Sequence, residues 1–183
     1  MSPSIMKIKH YIYIFLVAFP ISTFAENSVQ INSIIKARLS LCHDVASYKI
    51  HKNIAIENLK QEQVVLAKAA QSAKKYTLEP NSVLSFTQAM MDSCKQIQHA
   101  DFNNPKTQSH KIIPITETRK KLAKLNQKLF TTLAHQLNTQ AKLTGLNYPS
   151  FSRAFSELQL SNKQQQTLFK ALKKIELDKD NKK

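Results

Sequence analysis

The chain has 183 residues, a formal net charge of +15, one glycine, two cysteines and no tryptophan. A single glycine rules out a glycine-rich phosphate-binding loop, and the length suits one domain with a real core. So strong a positive charge draws small anions, acidic lipids or nucleic acid.

Residues 1–25 read as a secretory signal peptide. Lys7 and Lys9 give a positive start, Tyr11–Phe19 an apolar run too short to span a bilayer, and Thr23-Phe24-Ala25 a small-residue cleavage site; Met6 serves equally well as a start. Export makes nucleic acid the least expected partner, and no membrane contact is expected after cleavage. Most of the lysines are then solvated surface, and the terminal KKIELDKDNKK, above all residues 179–183, reads as a frayed tail. Cys42 and Cys94, an even pair in an oxidising compartment, permit one disulfide; two buried thiols fit the spacing equally well.

Residues 26–178 read as one all-α domain, a bundle of about six helices, because apolar residues recur every three or four positions and no stretch alternates like a strand. The first helix is expected from a cap at Asn27 or Ser28 to about Asn53, with Ile31, Ile34, Ile35, Val45 and Ala46 inward. The second runs from about Glu57 to Lys75, with Leu59, Leu66, Ala69, Ala70 and Ala73 as its inner stripe. The third starts at Pro80 and ends near Phe102, burying Val83, Phe86, Met90, Cys94 and Ile97. A polar loop, Asn103–Pro114, leads to a fourth helix over about Thr116–Leu143, ended by Gly145. Tyr148-Pro149-Ser150 opens a short helix holding Phe151 and Phe155. The last helix, about Ser161–Leu177, is capped by Ser161 and turns Leu168, Leu172 and Ile175 inward.

Within the first helix Arg38 and Lys49 stand eleven residues apart, almost three whole turns, so both cations share one face with Cys42 and Val45. Arg38, Leu39, Val45, Ala46, Tyr48, Lys49, Ile56, Glu57, Glu62 and Leu66, in that order and spacing, resemble the opening of the secreted, all-helical (gamma-subclass) chorismate mutases. The resemblance covers about Ile31–Phe102 and resumes over Thr118–Leu129. It implies a chorismate mutase type II-like bundle that isomerises chorismate, a small dicarboxylate, to prephenate without cofactor or metal. Such a rearrangement needs no nucleophile. It is helped by holding the compact conformer and by placing donors and positive charge at the ether oxygen.

The resemblance gives Lys49 and Gln98 the catalytic positions beside the ether oxygen, with Lys49 also bonding a substrate carboxylate. Arg38 meets a substrate carboxylate, and Arg119 closes the site from the fourth helix of the same chain. Two positions depart from the family. Gln61 replaces an arginine, with Lys60 about 100° away round the helix, and Cys94 replaces a small hydroxyl residue. In this alignment Cys42 and Cys94 face one pocket, which a disulfide between them would line or narrow. A homodimer is carried over from the family. His43, His51, His99, His110 and His135 match no ligand spacing and are expected to be surface or hydrogen-bonded residues. Two alternatives stand beside the enzyme: a weakened family member binding another small carboxylate, and a basic helical protein meeting envelope or host partners.

Overall fold

A computed structural model describes residues 22–104 and 112–180, with side chains from Ser28 onward. Residues 1–21 of the expected signal peptide, the loop stretch 105–111 with His110, and residues 181–183 lie outside the described residues.

Among the described residues six helices follow in order: α1 Ser22–Lys52, α2 Leu59–Lys75, α3 Pro80–Phe102, α4 Ile115–Gln140, α5 Tyr148–Ala154 and α6 Asn162–Lys173. Among the described residues the only β pairing is a bridge between Leu78 and Leu177. α1 is the central column, packed mainly on α4 and α3; α3 is covered by α6 and α2, whereas α2 and α4 barely touch. That loose seam leaves room for the site.

The stripe spacing explains the packing. Ile31, Ile35, Leu39, Cys42 and Ala46 recur at three- and four-residue steps and are fully buried. Val83, Phe86, Met90 and Ile97 face them from α3, and Leu129, Leu133 and Leu137 from α4. Phe151 and Phe155 stack at 4.3 Å and Phe151 meets Phe169 at 5.1 Å, closing one end of the bundle. Full burial of each such ring contributes about 1.5–3 kcal/mol.

Side-chain caps set the boundaries. Glu79 accepts hydrogen bonds from the Asn81 and Ser82 amides ahead of Pro80, so α3 has its expected limits. Asn58, Asn147 and Ser161 cap α2, α5 and α6 in the same way.

Several expectations are corrected. α1 begins at Ser22, so neither Asn27 nor Ser28 caps it: a cap requires the chain to leave helical geometry, and here it does not. Leu59 is 74% exposed, since the first residue of α2 projects before the helix meets the bundle, and Val45 and Leu66 are only half-buried. Ala141, left-handed at φ 58°, ends α4 four residues before Gly145. The terminal stretch is tied down as far as Asp178. Ile175 is buried, the Glu79 amide donates to the Glu176 carbonyl, and the Asp178 amide donates to the Thr77 carbonyl.

Candidate active site

Between α2 and α4 lies a cavity of about 530 Å³, floored by Arg38 of α1 and by Phe86, Thr87 and Met90 of α3. Gln61 and Lys68 line it from α2, and Arg119 and Asn126 from α4. Arg38 is the deepest cation, only 7% exposed. Its Nε donates to Asn126 Oδ1 at 2.7 Å, and among the described residues it has no carboxylate partner. Burial pushes its pKa down to about 10, so at neutral pH it remains a desolvated, uncompensated positive charge. An arginine held this way is a ready anion receptor, because a carboxylate restores what burial removed.

Arg119 reaches the same cavity from the exposed first turns of α4. Gln61 lines it too, so α2 keeps its register, and Lys60 stays exposed outside the cavity. Lys60 therefore does not replace the missing arginine.

Lys49, Gln98 and Cys94 are not among the residues lining this cavity. Asn53, at φ 53°, ends α1 and folds the following loop back, and Lys49 Nζ donates to the Ile56 carbonyl. Burial lowers the Lys49 pKa from 10.5; Glu57 and Glu62 oppose that shift and Arg119 adds to it. Lys49 thus shares an electrostatic neighbourhood with Arg119. Gln98 is 4% exposed; its Nε2 donates to the Cys94 carbonyl at 3.2 Å and Sγ at 3.4 Å, and its Oε1 is buried without a partner among the described residues.

Cys42 and Cys94 form a disulfide, with Cα atoms 5.4 Å apart, joining α1 to α3. The pairing follows from the packing of α1 against α3, which brings the two residues together. The hypothesised bridge is present, and its two cysteines are not among the residues lining this cavity. Along α1, Cys42 sits about 6 Å beyond Arg38 and about 10 Å short of Lys49 at 1.5 Å per residue, so the bridge stands between the two cations. It also leaves Cys94 with no S–H to donate.

His43 pairs with buried Asp101 at 2.7 Å, His51 bonds the Ser47 carbonyl and His99 meets Glu57 at 3.2 Å; these three are hydrogen-bonded, as expected. The sequence reading missed Asn126, which orients Arg38, and Lys68. Counting 61, 65, 68, 72 and 75 along one face of α2 would have found Lys68.

Comparison with known proteins agrees with this frame. Residues 27–99 match the family described as chorismate mutase type II. The chain is 34% identical over 114 residues to the monofunctional chorismate mutase of Enterobacter agglomerans, covering 61% of this chain and 63% of that protein. It is 28% identical over 118 residues to the secreted chorismate mutase of Yersinia pestis, covering 63% of each. The alignments therefore span somewhat under two thirds of these relatives' length. Among solved structures, the secreted chorismate mutase of Yersinia pestis superposes with a TM-score of 0.74 at 24% identity, covering 81% of this chain and 97% of that one. The chorismate mutase of Burkholderia thailandensis gives 0.60 at 22%, covering 80% and 96%. These two likenesses establish the all-helical fold. Residues 27–99 thus carry the match to the chorismate mutase type II family, and the helical frame that continues them has the fold of the solved chorismate mutases.

Proposed function

We propose that this protein is an exported chorismate mutase that converts chorismate to prephenate. The observation that carries the reading is Arg38: a buried arginine without a carboxylate partner among the described residues, facing a cavity of substrate size with Arg119 at its rim. Arg38 anchors one substrate carboxylate, and Arg119 and Lys49 supply positive potential towards the ether oxygen as its bond to carbon lengthens. Gln98 reaches that oxygen only after its Nε2 leaves Cys94, and Gln61 contributes a neutral contact. Catalysis of this kind consists of positioning and electrostatics.

Export, with residues 1–25 removed, is supported by the printed description of the Yersinia pestis relative as secreted. Among the described residues no helix is long and apolar enough to cross a membrane. A homodimer is carried from the family resemblance alone and is tested by sedimentation velocity. Lys49 bound to a backbone carbonyl and Gln98 outside the cavity favour one further reading, a carboxylate-binding protein with little turnover. The test is the loss of chorismate absorbance with purified protein, oxidised and reduced, and prephenate identified as product. Turnover supports the enzyme; saturable dicarboxylate binding without turnover in either redox state supports the binding protein.

A further inference from the structure

We propose that Lys68 is a substrate-carboxylate ligand of this cavity, supplying from α2 the positive charge that Gln61 lacks. The inference rests on the reading that the cavity holds chorismate, a dianion. Two carboxylates in one cleft call for two cationic contacts, and Arg38 provides one. On α2 the cavity-facing stripe is Gln61, Val65, Lys68, Ser72 and Lys75, at alternating steps of four and three residues. Its two cations differ. The Lys75 ammonium lies 5.3 Å from the centroid of the Tyr76 ring, a contact that already engages it. Lys68 has no ion pair, hydrogen bond or ring contact among the described residues.

The nearby acids of this region are engaged elsewhere. Glu62 pairs with Lys95 at 3.3 Å and Glu57 with His99 at 3.2 Å, so neither neutralises Lys68 in the structure. Lys68 lies seven residues beyond Gln61, about 10.5 Å along the helix and nearly on the same face. This places the α2 charge nearer the Arg38 end of the cavity than an arginine at position 61 would. The dianion is accordingly held with its carboxylates towards Arg38 and Lys68. A lysine on a flexible stem acts as a point charge, selecting a second carboxylate without demanding bidentate geometry.

The test compares wild type, Lys68→Gln, Lys68→Arg and Lys60→Gln. Lys60→Gln removes the same charge from the same helix outside the cavity. Chorismate KM is measured together with calorimetric affinity for an unreactive oxabicyclic dicarboxylate that mimics the rearrangement's bicyclic transition state, and for each of its two monomethyl esters. The expected result is a loss of about ten- to a hundredfold in dicarboxylate affinity for Lys68→Gln, retention in Lys68→Arg and no change in Lys60→Gln. One monoester keeps the sensitivity to Lys68 and the other loses it. Equal behaviour of Lys68→Gln and Lys60→Gln, or equal sensitivity of both monoesters, overturns the assignment. Urea midpoints of the variants confirm that the comparison is between folded proteins. Failure of wild type to bind the dicarboxylate or turn over chorismate refutes the proposed function itself; intact wild-type activity with an indifferent Lys68→Gln refutes only Lys68.

Discussion

Arg38 is expected to lower the stability of the fold it serves, and replacing it with methionine isolates that cost. An arginine whose pKa burial pushes down to about 10 carries roughly 3 kcal/mol of disfavoured charge at neutral pH, at about 1.4 kcal/mol per tenfold. Removing it also breaks the 2.7 Å bond to Asn126, a charge-assisted contact worth about 1.5–3 kcal/mol. Methionine fills similar volume with apolar atoms, so Arg38→Met should stabilise by about 1 kcal/mol, or roughly 2–4 °C in Tm. Urea unfolding of oxidised wild type and variant measures the difference directly. The dicarboxylate should raise the wild-type midpoint and leave the variant's unchanged, because only the native cavity of wild type binds it. A variant destabilised by about 2 kcal/mol or more would show that the charge is compensated inside the fold, and the argument that Arg38 awaits an anion would fail.

Four further outcomes follow from the geometry. Burial lowers the Lys49 pKa from 10.5, so its charge is lost at a lower pH than a free lysine's, and kcat/KM should fall as pH rises through the folded pKa. Its contribution to stability has the opposite sign. The disfavoured charge is removed as pH rises from the folded towards the unfolded pKa, so stability should increase over that window; Lys49→Gln should remove both effects. Replacing both Cys42 and Cys94 with alanine opens a link across a sequence separation of 52, for which chain entropy gives about 4 kcal/mol, read as a lower urea midpoint than oxidised wild type. Glu79→Ala removes the acceptor of the Asn81 and Ser82 amides and should cost about 1 kcal/mol in the same assay. Gln61→Arg should raise chorismate kcat/KM by about tenfold, since it adds a cation to a wall of the cavity; unchanged turnover would place Gln61 outside the substrate's reach.

Much of the frame was legible because local signals and burial agree. Pro80 behind Glu79 marks the start of α3, and the three- and four-residue spacing of Ile31, Ile35, Leu39 and Ala46 identifies the buried face of α1. The end of α4 was not legible, because a left-handed alanine at 141 carries no mark in sequence, whereas Gly145 invites the wrong assignment. Leu59 obeys the helical period yet points to water, since periodicity says nothing about where a helix first meets its neighbours. At the site, spacing placed Arg38 and Lys49 on one face but could not show that the Asn53–Asn58 loop returns a carbonyl to Lys49. The two cysteines allowed a bridge by parity alone. Only the packing of α1 on α3 brings the two sulfurs within bonding distance.

The central claim is that a buried arginine at the cavity floor makes this chain a catalyst for chorismate. Its most direct test is the initial rate of prephenate formation by wild type and by folded Arg38→Met at matched concentration. The account predicts measurable turnover by wild type and a loss of at least about a hundredfold in kcat/KM in the variant. Equal rates in the two, or no prephenate from wild type in either redox state, would contradict it.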